Sequence, residues 1–430
     1  MSRHYKKYIR IPPGESVDIR DILPIVSHPR FQRLLFVAQL GTTLRVFPGA
    51  SHNRFEHALG VYAKTLRFCQ KMFKEGSLTE REAKTVPLFG LLHDIGHGPF
   101  SHLIEELTPY DHDENGLHVI DEMKKEIIAS GGDFNLIKRM FARKSPLYRI
   151  VMDRNLGMDK LDYLDRDTFH TGFGQRPDVE SVFDYLTWLK NQLVIDKKDL
   201  EAAKQMQRLY LYMYKEVYLH KSSLISQRFL QKMISIYLSH HRIDPEDLWA
   251  LSDGELMAKI YTDTDLRLQF LYSSYMKRML PSTGLVFRME QKLNRERVAG
   301  KEIKVIGMPP DFFDNLTKRS SPTDLSLLEE EIAKALAVPA YTVLVVPILA
   351  PWRFAPQDIL YHDEGKIFSL KETQPEYFNS MRAELEEYLA VRVCIIGNRR
   401  LLYTHAAKIS AVIEAFITRR KQPANLILKM

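Results

Sequence analysis

Along this chain, apolar positions recur mostly at the three-to-four-residue interval of helices buried on one side. After an extended entry over 9–23 with a turn at Pro12-Pro13-Gly14, Phe31, Leu34, Leu35 and Val37 carry that spacing across 29–38. Phe55, Leu59, Tyr62 and Leu66 trace one face of a helix predicted from Arg54 to about Lys74, with Ser51 as its candidate cap. Thr79-Glu80-Arg81-Glu82 has the form of a capping box, in which hydroxyl and carboxylate each serve an amide of the first turn. The pattern then runs to Leu92, and Pro87 within it predicts a kink or a fresh start, because its ring removes a donor and crowds the preceding turn. Further helices are predicted over 117–128, 134–143 and 147–156, along 200–238, and over 247–280.

Strand signals are sparser. The β-branched and aromatic run 42–47 reads as a short strand, and 282–322 is turn-rich, with Met308-Pro309-Pro310 and Ser320-Ser321-Pro322. Beyond it, 341–349 and 391–396 read as strands, and two short runs flank the turn His362-Asp363-Glu364-Gly365. Helices at 376–389 and 401–417 interleave with them. The chain is therefore expected to be mainly α: an all-helical core over 1–240, a helical and turn-rich extension over 241–335, and a small α+β unit over 336–430.

Composition narrows the class. A chain of 430 residues with 45% hydrophobic and 27% charged residues is globular, neither disordered nor collagen-like. Cys69 and Cys394 supply neither a disulfide framework nor a cysteine zinc site, which fits a reducing compartment and a cytoplasmic location. The N-terminal stretch 1–10 has no apolar run of signal-peptide length, and no run of about 18 apolar residues, the length of a membrane span, occurs anywhere. Lysine and arginine number 61 against 54 aspartate and glutamate, a net charge of +7. The basic clusters Lys138-Arg139 with Arg143-Lys144, 295–304, Lys318-Arg319 and Arg419-Arg420-Lys421 point to anionic partners, phosphate or nucleic acid.

The chemistry concentrates in Leu91-Leu92-His93-Asp94-Ile95-Gly96-His97-Gly98-Pro99-Phe100-Ser101-His102. An apolar helix ends in an adjacent His-Asp pair, and two more histidines follow within nine residues. Imidazole and carboxylate are the ligands that suit Fe, Mn, Zn and related divalent ions. One helix end cannot complete a coordination shell, so further ligands must come from elsewhere. His57 and Asp159, each in the first turn of a predicted helix, complete a dispersed set with His93 and Asp94. Two imidazoles and two carboxylates leave positions open on a six-coordinate ion, which implies catalysis, with phosphate ester hydrolysis as the natural chemistry. Asp159, Tyr163 and Asp167 follow at i, i+4 intervals and bring a carboxylate, a ring and a second carboxylate to one stripe.

These residues match the His…His-Asp…Asp pattern of the HD phosphohydrolase superfamily. The segments 47–57 and 93–102, together with Asp159-Lys160, Tyr163 and Arg166-Asp167, closely resemble the HD-domain deoxynucleoside triphosphate triphosphohydrolases over roughly residues 10–240. The resemblance implies an all-helical HD-domain core and metal ligation by His57, His93, Asp94 and Asp159, the ion being Fe, Mn, Zn, Ni or Mg. It implies that His97, His102 and His112 act on the α-phosphate, with Asp113 standing where relatives usually carry glutamate. It makes Arg54 and Lys160 phosphate contacts, places Gln39 and Leu40 beside sugar and base, and lines a deoxyribose pocket with Tyr163, Asp167 and Tyr218. It also implies a nucleotide substrate and a homo-oligomer, a tetramer or dimer. One departure is visible: relatives often carry extra arginines before the Tyr-x-His-Lys cluster, whereas 209–217 holds only Lys215.

Overall fold

The computed structural model describes residues 7–241, 243–295 and 302–419, so parts of the basic clusters 295–304 and Arg419-Arg420-Lys421 lie outside the described residues. The chain is mainly helical with small sheets, as the periodicity predicts. It forms two compact units, each built from discontinuous segments: residues 1–227, 236–263 and 354–385 in the first, and 228–235, 264–353 and 386–430 in the second. These units cut across the sequence boundaries placed after 240 and 335.

In the first unit the Arg54–Lys74 helix packs on the helix Glu80–Leu92 and on the helix Met158–Thr171. Ala58, Leu59, Val61, Val86, Phe89, Leu91, Leu161 and Leu164 are fully enclosed, so the core lies among these helices. The Arg54–Lys74 helix starts on Asn53, whose side chain accepts from the Glu56 amide; the expected cap Ser51 lies two residues too early. The capping box forms at Thr79 and Glu82 as predicted. Pro87, however, sits inside a continuous helix, buried with Val86 and Leu88, so no fresh start occurs there. Apolar packing on both sides of Pro87 outweighs the one lost backbone hydrogen bond.

The predicted strand at 42–47 is a 3-10 turn over Gly41–Arg45 with Thr42 and Thr43 buried. A β-branched run makes a strand only where another backbone pairs with it, and among the described residues the isolated Ala38–Asn53 bridge is the pairing beside it. The stretch 200–238 is likewise not one helix. Leu200–Met213 passes into a π-helical turn at Tyr214–Tyr218, and Lys221–His240 starts afresh. Three hairpins complete the unit. Tyr8–Ile11 pairs with Glu15–Asp18 around the expected Pro-Pro-Gly turn. A four-stranded sheet runs Leu186–Leu189, Gln192–Asp196, Leu360–Asp363, Lys366–Ser369, joining a hairpin within the helical core to the one predicted around 362–365.

The second unit holds a four-stranded sheet in the order Lys304–Met308, Ser282–Met289, Ala390–Ile395, Val343–Ile348. Two of these strands lie in 282–322, read from sequence as turn-rich. Leu285, Phe287, Val343, Val345, Val391 and Val393 alternate onto one face, where Phe313, Leu328, Ile332, Ile409 and Ile413 of the helices complete a core.

Candidate functional site

The site assembles at the ends of three helices of the first unit. His57 lies in the first turn of Arg54–Lys74, His93 caps the C-terminus of Glu80–Leu92 with Asp94 beside it, and Asp159 lies in the first turn of Met158–Thr171. Helix ends suit the task, because a side chain there projects past its own backbone into the space between elements. His57 Nε2 lies 3.1 Å from Asp159 Oδ1 and 3.7 Å from Asp94 Oδ2. His93 Nε2 lies 3.3 Å from Asp94 Oδ1 and 3.7 Å from Asp159 Oδ1. Ligand atoms of His57, His93 and Asp94 approach closely enough to share one ion.

Whether these residues suit a cation can be judged from their other atoms. His57 Nδ1 is 2.8 Å from Asp162 Oδ2, and His93 Nδ1 is 2.8 Å from the Gly90 carbonyl. Those acceptors hold the ring proton on Nδ1 and turn each Nε2 lone pair inward. Both Nε2 atoms are buried and make no hydrogen bond, the state expected of nitrogens that a cation completes. Burial alone disfavours a charged His57, yet Asp159 and Asp162 hold its pKa up at about 10. The three carboxylates thus call for positive charge at this point, which a divalent ion supplies in place of the proton. The donor set fits a metal.

Asp162 is the residue that periodicity did not single out. Fully buried, it receives His57, Lys64 Nζ at 2.9 Å, and the Arg166 guanidinium at 2.8 and 3.0 Å. Burial opposes its charge, but Arg166 and Lys64 outweigh burial and hold the carboxyl well below the usual range. Its i, i+4 spacing to Arg166 resembles an ordinary solvated helix pair, so the sequence carries no signal of its inward direction.

Arg54 is also buried, bonding Asp94 and donating from Nε to Ser101 Oγ at 2.7 Å. Ser101 Oγ donates to the Ala38 carbonyl at 3.2 Å. Gln39 and Leu40 follow Ala38 directly and so border the Arg54 end of the site, with Gln39 N donating to the His52 carbonyl. Phe100 and Ser101 both have positive φ, +57° and +56°, and the Phe100 and Ala38 amides donate to Asp253 at 2.7 and 3.0 Å. Asp253 thereby pins the strained turn against the segment that carries Gln39.

A second imidazole cluster adjoins the first. His97 Nε2 is 3.4 Å from Asp94 Oδ1, and the His97 ring stacks on His112 at 4.1 Å, with His102 edge-on to both. Glu105 gathers all three. Its oxygens lie 2.7 Å from His112 Nδ1, 3.0 Å from His102 Nδ1 and 3.6 Å from His97 Nδ1. Sequence reading passed over Glu105 and named Asp113, which stands where relatives usually carry glutamate. Asp113 instead accepts from Arg143 at 2.7 Å and stands 3.7 Å from His112 Nε2. Burial raises the Glu105 pKa, but His102 and His112 hold it well below the usual range.

Asp167 is held between His52 Nε2 at 2.8 Å and the Tyr218 hydroxyl at 2.5 Å. Tyr210 meets Tyr214 at a tilt and Tyr214 meets Tyr218 edge-on across the π-helical turn, and burial, with Tyr210 and Tyr214 nearby, raises the pKa of the Tyr163 hydroxyl. Tyr163, Asp167 and Tyr218 thus line one polar-aromatic wall. The Lys160 ammonium donates to the Arg154 carbonyl and lies 3.5 Å from the centre of the Tyr210 ring. Burial pushes its pKa down to about 7.

Residues 54–167 match the family model described as HD domain, and residues 178–304 the HD associated region. The chain belongs to the HD domain phosphohydrolases that carry an HD-associated region. It is similar to the uncharacterized protein YwfO of Bacillus subtilis, 29% identical over 287 residues, or 62% of this chain and 65% of that one. It is also similar to deoxynucleoside triphosphate triphosphohydrolase SAMHD1 of Homo sapiens, 28% identical over 331 residues (62% of this chain, 51% of that protein). A Dictyostelium discoideum homolog of SAMHD1 is 28% identical over 277 residues, 58% of this chain and 53% of that protein. The chain thus spans about half to two thirds of these relatives. A phosphohydrolase from Bacteroides thetaiotaomicron shares the fold, with a TM-score of 0.69 at 24% identity over 91% of this chain and all of that one. Among the described residues no helix is long and apolar enough to cross a membrane.

Proposed function

We propose that this protein is a metal-dependent hydrolase of deoxynucleoside triphosphates that releases the deoxynucleoside and intact triphosphate by attack at the α-phosphorus. The carrying observation is the junction of two clusters at Asp94: inward-facing Nε2 atoms of His57 and His93 on one side, and the Glu105-gathered His97, His102 and His112 on the other. His57, His93, Asp94 and Asp159 hold the ion, which supplies Lewis acidity toward a phosphoryl oxygen and water. The identity of that ion, Fe, Mn, Zn, Ni or Mg, is open to any metal that imidazole and carboxylate accept.

In this reading Arg54, fixed by Asp94 and Ser101, grips phosphate oxygens with its remaining donors. His102 and His112, oriented through Nδ1 by Glu105, turn Nε2 outward to protonate the leaving 5′-oxygen, and His97 holds the α-phosphate. Asp113 braces this group through Arg143, and Lys160 reaches the phosphates only by leaving Tyr210. Gln39 and Leu40 border the base, and Tyr163, Asp167 and Tyr218 close on the sugar edge where a ribose 2′-hydroxyl needs room. The enzyme works as a cytoplasmic homo-oligomer, tetramer or dimer.

The test is to incubate metal-loaded protein with each deoxynucleoside triphosphate and resolve products by ion-exchange chromatography. Release of triphosphate together with nucleoside is the expected result. Stepwise loss of single phosphates, or turnover of only monophosphates or oligonucleotides, overturns the triphosphohydrolase reading. Absence of any turnover alongside nucleic-acid binding through the basic clusters would make the protein a binding module with an inactive HD site.

A further inference from the structure

The departure noted in 209–217 poses a question of charge. A deoxynucleoside triphosphate brings several negative charges, 209–217 holds no arginine, Arg208 just outside it lies over the Tyr377 ring, and Lys160 lies 3.5 Å from the centre of the Tyr210 ring. Other cations stand close to the metal centre. Asp159, 3.1 Å from His57 Nε2, also lines a cleft of about 510 Å³ within the first unit. That volume lies in the range of small-molecule sites, about 300–1,000 Å³. Arg143, Arg149 and Arg154 converge on the same cleft, together with the side-chain amides Gln192 and Gln357.

Two of the three guanidiniums are not neutralised. Arg154 is exposed and forms no ion pair among the described residues, and neither does Arg149, whose guanidinium makes a 3.3 Å contact from Nη1 to the Asn191 carbonyl and lies 5.9 Å from the centre of the Tyr148 ring. Arg143 is paired with Asp113, which links the cleft to the histidine cluster at His112. The two other carboxylates on the rim are already engaged: Asp153 accepts from the Asn155 and Leu156 amides, and Asp358 from the Lys371 amide. Planar guanidiniums with neutral amides around them are the chemistry that grips phosphate oxygens several at a time.

We propose that this cleft is the subsite for the distal phosphates of a polyphosphate substrate, with Arg149 and Arg154 holding the tail while the α-phosphate sits at the metal. The inference rests on the reading of Asp159 as part of the metal centre and of the substrate as a triphosphate. It replaces the missing helix arginines with Arg149 of the short helix Tyr148–Met152 and Arg154 of the turn before Asp159, and needs no movement of Lys160.

The experiment titrates inorganic tripolyphosphate, and separately orthophosphate, into the metal-loaded full-length protein by calorimetry. Wild type, Arg154→Gln, the double variant Arg149→Gln/Arg154→Gln, and the surface control Lys125→Gln are compared, with metal content and melting temperature recorded for each. The expected result is preference for tripolyphosphate over orthophosphate, weakened at least tenfold in the double variant, several-fold in Arg154→Gln and not in the control. KM for a deoxynucleoside triphosphate rises in parallel. Tripolyphosphate binding that is undiminished in a folded, metal-replete double variant, or no preference over orthophosphate in wild type, overturns the proposal. If the wild type turns over no triphosphate, the functional reading fails, and the tripolyphosphate titration still decides whether the cleft is a polyphosphate site.

Discussion

Replacing Asp162 by asparagine removes one charge and changes almost no volume, so its consequences follow from the partners alone. Three donors converge on this carboxylate: the His57 imidazole at 2.8 Å and the cations Lys64 at 2.9 Å and Arg166 at 2.8 Å. An amide offers one acceptor where the carboxylate offers two, and its NH2 group faces donors. Breaking a fully buried pair costs about 3–5 kcal/mol. The low end applies here, because Lys64 keeps Glu15 at 3.4 Å and Arg166 keeps the Pro12 carbonyl. About 3 kcal/mol of stability should be lost, a fall of roughly 5 °C in melting temperature. The second effect is on metal. With Lys64 and Arg166 competing for the single amide oxygen of asparagine, the His57 proton is held less firmly on Nδ1, and the Nε2 lone pair is presented less well to the ion. Loss of such an outer partner lowers affinity about 10–100-fold, or about 1.4–2.7 kcal/mol. Equilibrium dialysis of Asp162→Asn against buffered metal, beside calorimetric melting of the metal-free protein, reads the two effects apart. Wild-type metal affinity in a variant that melts lower would refute the orienting role and leave Asp162 as structural support only.

Two further outcomes separate the paired clusters. His93→Ala and Asp94→Ala should lose both metal and activity, whereas His102→Ala should keep its metal and lose about 10²–10⁴-fold in turnover as a proton donor; elemental analysis of the purified variants decides, and loss of metal in His102→Ala would move the boundary of the coordination shell. Glu105→Gln probes pH. Burial opposes charge on His112, but Glu105 and Asp94 raise its pKa above the ordinary 6.5, so the stabilisation it draws from Glu105 is full below about pH 6.5 and fades as pH rises through the raised value. The melting difference between wild type and Glu105→Gln should shrink from pH 6 to pH 9, and a difference that grows over that range would contradict the pairing.

Periodicity alone determined the helical character of the chain, because a buried face repeats every three to four residues wherever the partner lies. It placed Arg54–Lys74 to the residue, the capping box at Thr79, and the hairpin around 362–365. The histidines and aspartates of 57, 93, 94 and 159 were legible as a dispersed donor set, since residue type and position at helix ends restrict what they can do together. Their convergence was not, because it depends on three helices packing at a common end. The same limit explains the misreadings. Residues 42–47 have strand propensity without a neighbouring strand, Pro87 is tolerated by packing no local pattern reveals, and strands Ser282–Met289 and Lys304–Met308 lie in a stretch dominated by turn residues. Asp162, Glu105, His52 and Arg154 were silent for one physical reason: a carboxylate, imidazole or guanidinium on a helix or loop looks the same in sequence whether it faces water or a buried partner. Only the tertiary packing chose the direction, placing Asp162 under His57, Glu105 among three imidazoles, His52 against Asp167, and leaving Arg154 unpaired at the cleft beside Asp159.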